Sequence, residues 1–445
     1  MIIVNKEFSM KRLLLSLALA NLLPYTAFAG ETPVAPNISF DQLLSHLTAA
    51  PAETAVIPEP SAERAAYSPE EAGRYWVTVE AADKRARTRL LEAGLDIVEI
   101  NKDSVSGVAG AYTLGQLSSK AFTVLSKTTL AQRAFSVTKD FPAGDAAYHN
   151  FRETTDLLRE MAAKNPDIAS LFSIGKTVEG RDIWCLRINS GAKGTAVSAK
   201  PGALYIGNHH AREHLSNEVP LLLAAWLLEH RNDADIKTYI NGLDIYIIPM
   251  LNPDGAENDI KTGSYQYYRK NMSVNADKSR GVDLNRNYDS WWCEAGASNY
   301  PGADTYCGPK AFSEPESQAV KKFIEARRNL KTHISYHSYA SEILYPWGGS
   351  DADVPSVKDR QVFEKVGAEM GKLTGYRSYK SSEMYVATGD SCDWAYAAAG
   401  IFAFTFELEG RGFYPGAAII TGAVARNIKA AVYLLSVTDN PYKAI

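Results

Sequence analysis

Cysteine is scarce in this chain, with four residues in 445, at Cys185, Cys293, Cys307 and Cys392. They are too scattered for a cysteine-rich zinc site. A basic excess is also lacking. The 47 Lys and Arg face 51 Asp and Glu, a formal net charge of −4, and no Lys/Arg run reads as a basic arm. That argues against a nucleic-acid partner, because no surplus cations are available to neutralise phosphates. Long apolar runs are missing beyond the N-terminal segment, so no membrane span is expected. No solenoid-type repeat is present. The bulk of the chain is ordinary globular material, 46% hydrophobic and 22% charged, with room for one large domain and a smaller one.

The N-terminus carries a compartment signal. Lys11 and Arg12 precede an apolar run from Leu13 to Leu23, and Ala27-Phe28-Ala29 follows. A charged head, a short apolar core and an A-x-A end predict a secretory signal peptide over residues 1–29, hence a secreted or periplasmic protein. In such an oxidising compartment Cys293 and Cys307 are expected to close a local disulfide, since they flank a loop rich in Gly, Ala, Ser, Asn and Pro. Cys185, inside the apolar run Ile183-Trp184-Cys185-Leu186, reads as a buried thiol.

Residues 30–72 are rich in Ala, Pro, Glu and Thr and read as a poorly ordered lead-in. Residues 73–127 predict a small α+β module. It has strands at Tyr75–Glu80, Leu95–Ile100, Ala109–Leu114 and Ala121–Leu125, and a helix at Ala81–Ala93. A linker is expected over 128–144, a large domain over 145–437 and a short tail over 438–445. The large domain alternates helix and strand patterns: helices at His149–Lys164 and Leu215–His230, and strands at Ala203–Gly207, Leu243–Pro249, His333–His337 and Ile401–Leu408. That alternation predicts an α/β sheet covered by helices on both faces, with ligands gathering at the strand ends.

The densest group of metal-type ligands is Asn208-His209-His210-Ala211-Arg212-Glu213-His214, at one such strand end. Zinc takes imidazole nitrogen and carboxylate oxygen, and a catalytic site uses three protein ligands. Two readings of this run compete. His210 and Glu213 can act as ligands with a third from elsewhere, or His210 and His214 can be the ligands of an inverted H-x-x-E-H motif with Glu213 as base. Spacing within the run does not choose between them. Two further residues stand out at apolar strand ends, His337 in Ser335-Tyr336-His337-Ser338 and Glu407 in Phe404-Thr405-Phe406-Glu407-Leu408. A carboxylate in such a strand is costly without a task or a partner.

Together, from about Tyr148 to Leu435 and in the same order, these pieces resemble the zinc metallocarboxypeptidases related to carboxypeptidases A and B. Within that family the similarity is to the secreted bacterial branch typified by carboxypeptidase T. The resemblance favours His337, 127 positions after His210, as third ligand over His214. It implies a central mixed, mostly parallel sheet with helices on both faces, and one zinc ion per catalytic domain held by His210, Glu213 and His337. It implies Glu407 as general base and Arg269, in Tyr268-Arg269-Lys270-Asn271, as the group that stabilises the oxyanion. Asn285 and Arg286 would clamp the substrate's terminal carboxylate, and Tyr385 would close over the terminal residue. Asp283 would orient His210, and Arg212 would meet the substrate further from its end. Asp390, with Cys392 at the position that is acidic in basic-specific members, implies broad specificity for apolar and basic C-terminal residues.

The partner implied is a peptide or protein with a free C-terminus. By position and coarse pattern the small module resembles a propeptide, which implies a zymogen and an activating protease. A monomer is expected. Two other readings stay open at this point: a murein-peptide hydrolase of the same fold, and a non-catalytic zinc-containing binding protein.

Overall fold

The computed structural model describes residues 73–130 and 140–445. The expected signal peptide, the lead-in and the middle of the linker lie outside those residues.

The first unit runs β1 (Tyr75–Glu80), α1 (Lys84–Glu92), β2 (Asp96–Ile100), β3 (Ser104–Ala109), α2 (Ala111–Ser119) and β4 (Val124–Thr129). Its sheet has the order β2-β3-β1-β4, with every pairing antiparallel. Val77, Val79, Leu90, Leu91, Val105 and Leu117 form its core. Asp83 caps α1 by accepting from the Ala86 amide. One expected strand is corrected. Ala109–Leu114 is not extended: the strand precedes it, Gly110 is the N-cap, and Ala111 opens a helix. Thr113 and Leu117, four residues apart, are the buried residues of that helix.

The second unit is built on an eight-stranded sheet of order β11-β10-β12-β9-β7-β8-β6-β5. Its strands are β5 (Ala169–Lys176), β6 (Asp182–Ile188), β7 (Gly202–Ile206), β8 (Asp244–Ile248), β9 (Leu330–Ser338), β10 (Glu342–Tyr345), β11 (Arg377–Lys380) and β12 (Phe402–Leu408). Four of the seven pairings are parallel, including the central β12-β9-β7-β8 run, and three are antiparallel. This is the mixed, mostly parallel sheet expected. Neighbouring residues of β7 feed opposite cores: Tyr205 joins the cluster with Leu221 and Leu434, whereas Leu204 and Ile206 join the one with Phe323 and Trp394. Such near-continuous burial marks a sheet covered on both faces.

The helices are α3 (Phe151–Lys164), α4 (Leu215–Glu229), α5 (Ala234–Gly242), α6 (Pro253–Asp259), α7 (Pro315–Glu325), α8 (Val357–Thr374), α9 (Ser391–Ala399) and α10 (Ile419–Thr438). A capping box between Asn150 and Glu153 fixes the start of α3. Among the described residues α10 is the one helix long and apolar enough to cross a membrane, and half of that stretch is buried inside the fold.

Candidate metal centre and active-site cavity

The central parallel strands deliver their carboxyl ends to one edge of the sheet, where the polar residues collect. Glu407 on β12 lies in register with His337 on β9, and Glu342 on β10 lies opposite Glu407. Strand β7 ends at Ile206, and the chain turns sharply through Gly207 and Asn208. A Cβ on Gly207 would stand 2.0 Å from the Ser216 carbonyl oxygen, so only glycine fits. Asn208 takes a φ of 55° and its side-chain amide donates to the carbonyls of His210 and Ala211. That turn carries His210 and Glu213 back over the strand ends before α4 begins.

His210, Glu213 and His337 offer ligand atoms that all lie within 4.8 Å of one another, and all three residues are buried. His210 Nδ1 is 2.8 Å from Glu213 Oε1, and His337 Nδ1 is 3.1 Å from both His210 Nδ1 and Glu213 Oε2. The outer nitrogen of His210, Nε2, is 3.1 Å from Asp283 Oδ1, so its proton sits there. That leaves Nδ1 as a lone pair facing a carboxylate and a second imidazole. A convergence of acceptors with no donor between them suits a cation, and two imidazoles plus one carboxylate are zinc-type ligands. Burial opposes charge on all these groups. The His210 imidazole nevertheless drives Glu213 down, and Glu213 and Asp283 hold His210 above its ordinary pKa.

Asp283 ties this centre to Arg269. Its Oδ2 accepts from Arg269 Nε at 3.0 Å, and its Oδ1 also accepts from the Asn285 amide. Burial penalises that carboxyl, but Arg269 and His210 hold it well below its usual range. Burial and the nearby Glu213 push Glu407 up to about 8.

His210, Glu213, Arg269, Asn285, Arg286, His337, Tyr385, Asp390 and Glu407 all line one cavity of about 820 Å³. Arg286 donates through Nε to the Gly296 carbonyl and through Nη1 to the Asn285 carbonyl, which fixes its plane. Asn285 Oδ1 accepts from the Ser391 amide, so its own N–H groups are left for other acceptors. Asp390 caps α9, accepting through Oδ1 from the amides of Cys392 and Asp393, while its Oδ2 is buried without a hydrogen-bond partner. Cys392 stands elsewhere than expected. It belongs to the core, and Thr405, whose hydroxyl meets Cys392 Sγ at 3.3 Å, lines the cavity in its place. His214 is no ligand: its Nε2 pairs with Asp259 at 2.9 Å, inside an aromatic box that includes Phe141 and Tyr265.

The small unit covers this cavity. Strand β2 contributes Asp96 to Ile100 to its wall. Asp96 ion-pairs with Arg212 and places Oδ1 3.1 Å from Arg269 Nη1. Arg212 is fully buried there, its guanidinium 4.1 Å from the Phe413 ring. Helix α1 reaches the Tyr385 segment: Arg87 donates to the Met384 carbonyl, and Thr88 Oγ1 accepts from the Val386 amide. Arg74 adds an ion pair to Asp304 at 2.5 Å. Neither Asp96 nor Glu342 stands out among the carboxylates of the sequence. The disulfide Cys293–Cys307 is present as expected, and Cys185 is a buried free thiol.

Fold and site together define a class, α/β proteins with a zinc-type ligand triad at the carboxyl edge of the sheet beside an arginine-lined cavity. Comparison with known proteins narrows it. The zinc carboxypeptidase family profile matches residues 154–430. A zinc carboxypeptidase of Saccharothrix mutabilis subsp. capreolus is 32% identical over 386 residues, covering 81% of this chain and 88% of that protein. Bovine carboxypeptidase B is 33% identical over 279 residues, covering 60% of this chain and 64% of that protein. The crystal structure of carboxypeptidase A from Helicoverpa armigera superposes with a TM-score of 0.67, covering 82% of this chain and 98% of that one at 23% identity. This chain belongs to the zinc carboxypeptidase family and is a peptidase.

Proposed function

We propose that this protein is exported as a latent zinc carboxypeptidase that removes the last residue of peptides once its N-terminal module is cut away. One observation carries the catalytic part: a His-Glu-His ligand set, the Glu407 carboxylate, and the guanidinium groups of Arg269 and Arg286 line the same cavity.

Zinc, held by His210, Glu213 and His337, would supply Lewis acidity toward a carbonyl and toward water. Glu407 takes a proton from the attacking water on a carboxylate oxygen and returns it to the departing amine nitrogen. Arg269, oriented by Asp283, faces the oxygen on which negative charge develops. Arg286 pairs with the substrate's terminal carboxylate through the N–H groups not spent on Gly296 and Asn285. Asn285 adds an amide donor, and Tyr385 closes over the terminal side chain. An internal peptide bond has no carboxylate for Arg286, which makes the enzyme an exopeptidase.

Asp390 sets the breadth of the pocket. Burial pushes its carboxyl above the ordinary range, with Arg286 among the groups opposing that shift. It is tolerated as the neutral acid beside an apolar side chain and as the carboxylate beside Lys or Arg. Matched peptides ending in apolar residues and in Lys are therefore cut with kcat/KM values within about a thousandfold, roughly 4 kcal/mol. A larger gap contradicts this.

Latency is supported by the placement of Asp96 between the buried Arg212 and the cavity residue Arg269 and by the grip of α1 on the Tyr385 segment. Export is supported by the leader-like N-terminus and the disulfide. The test is hydrolysis of a blocked dipeptide by the secreted protein, before and after limited proteolysis, with and without a chelator. Activity that appears on processing and disappears with the chelator is expected. Zinc-independent hydrolysis, or full activity in the intact chain, contradicts the reading.

A further inference from the structure

We infer that His209, Ser335 and Tyr288 form a buried hydrogen-bonded chain that fixes the ring of His337 and sets how tightly the centre holds its metal. This rests on the metal-centre reading above.

The direction of every bond in the chain follows from its end. His337 turns Nδ1 toward His210 and Glu213, so that nitrogen must offer a lone pair and its proton sits on Nε2. Nε2 is 3.1 Å from Ser335 Oγ, two residues earlier on the same face of β9. Ser335 accepts there and has one hydroxyl proton left to donate. His209 Nδ1 lies 3.2 Å from the same Oγ and takes it. A ring that accepts at Nδ1 carries its proton at Nε2, and His209 Nε2 is 3.0 Å from the Tyr288 hydroxyl. Each group has a single consistent role, and His209 is neutral.

The chain is also mechanically fixed. All four residues are at most 1% exposed. The His209 and His337 rings stack, with centroids 5.3 Å apart and planes 20° from parallel. Tyr288 is held by its backbone to Gly389, beside the clamp residues Asn285 and Arg286. His209 thus belongs to neither the ligand set nor the ordinary core. It is a positioning residue for the third ligand, acting through Ser335. Removing the serine hydroxyl leaves a buried N–H and a buried ring nitrogen without partners.

The experiment is zinc affinity of the full chain by competition with a chromophoric chelator, with the unfolding temperature of the metal-free form measured in parallel. Ser335→Ala and His209→Phe should weaken zinc binding by about 10- to 100-fold, the range typical of outer-shell partners. Tyr288→Phe, which removes one oxygen, should weaken it several-fold. His209→Gln keeps one acceptor and one donor and should recover most of the affinity lost in His209→Phe. Ser335→Ala and His209→Phe chains that bind zinc as tightly as the parent overturn the inference. So does a uniform drop in unfolding temperature with unchanged affinity, which marks a purely structural histidine. If Ser335→Ala or His209→Phe fails to fold, Tyr288→Phe decides: several-fold weaker zinc binding is expected, and parent-like affinity overturns the inference. A parent chain that binds no zinc overturns the metal-centre reading, and this inference with it.

Discussion

Asp96, from the small N-terminal unit, occupies the space between Arg212 and Arg269 of the large one, with its Oδ1 3.1 Å from Arg269 Nη1. The carboxylate is almost fully buried, and so are both arginines. Removing one partner of a buried ion pair leaves the other charge uncompensated and costs about 3–5 kcal/mol. Asp96→Asn is therefore expected to loosen the docking of the module. Hydrolysis of a blocked dipeptide by the intact chain should rise at least roughly tenfold, about 1.4 kcal/mol, while the processed enzyme is unchanged. Equal activity of the intact variant and the intact parent would remove Asp96 from the latency device.

Glu407 stands in register with His337 but contributes no ligand atom to the His210-Glu213-His337 group. Glu407→Gln should accordingly leave zinc content at one per chain and lower kcat on the order of a thousandfold or more. Metal analysis and steady-state kinetics on the processed variant check the two halves separately. Loss of zinc would place Glu407 among the ligands instead.

How far the sequence reached is clear at this site. His210 and Glu213 were legible because one short turn holds both. His337 and Glu407 were legible as polar residues at the ends of apolar strands, where an α/β sheet gathers its ligands. Choosing His337 over His214 needed the resemblance to a family, because His214 has the right chemistry and the right spacing. Only the fold shows it turned away, onto Asp259. Asp96 was invisible: an acid at the start of an amphipathic strand looks like a solvated one until two units dock. Cys392 was misplaced by one layer, since position in a helix does not say whether Thr405 stands in front of it. The strand expected at Ala109–Leu114 failed because a short apolar run fits either period, and Gly110 is a helix cap there.

Arg286 predicts a requirement for a free C-terminus. Its guanidinium is fixed by Gly296 and Asn285 before substrate arrives, so little ordering is lost on binding a carboxylate. Arg286→Ala should lower kcat/KM for free-acid peptides by about 100- to 1,000-fold, roughly 3–4 kcal/mol. The same peptides with an amidated end, already poor, should change little. A similar loss on both series would assign Arg286 a structural role.

The disulfide Cys293–Cys307 closes a loop with a sequence separation of 14. A loop of that size stabilises the fold by about 3 kcal/mol in the chain-entropy account. This loop also holds the site, since Gly296 accepts from Arg286 and the Ala295 carbonyl accepts from the Thr388 hydroxyl and amide. Replacing both cysteines by serine should lower the urea midpoint and raise KM for free-acid peptides, with kcat less affected. A stability loss with unchanged KM would separate the loop from the clamp.

Away from the cavity, Glu314 and Glu316 share the side-chain amide of Asn271, at 2.7 and 2.9 Å. Glu316 is fully buried, and burial pushes its carboxyl up to about 7 against an ordinary value of 4.5. Between those two values the folded chain keeps the proton and the unfolded chain has released it. Stability therefore falls as pH rises from about 4.5 through 7, by on the order of 3 kcal/mol. Glu316→Gln reproduces the neutral form at every pH. Urea unfolding of chelated samples at pH 5 and pH 8 should show a smaller pH-dependent loss in the variant than in the parent, with the variant the more stable of the two at pH 8. Parallel pH profiles would mean that Glu316 is already ionised in the folded chain.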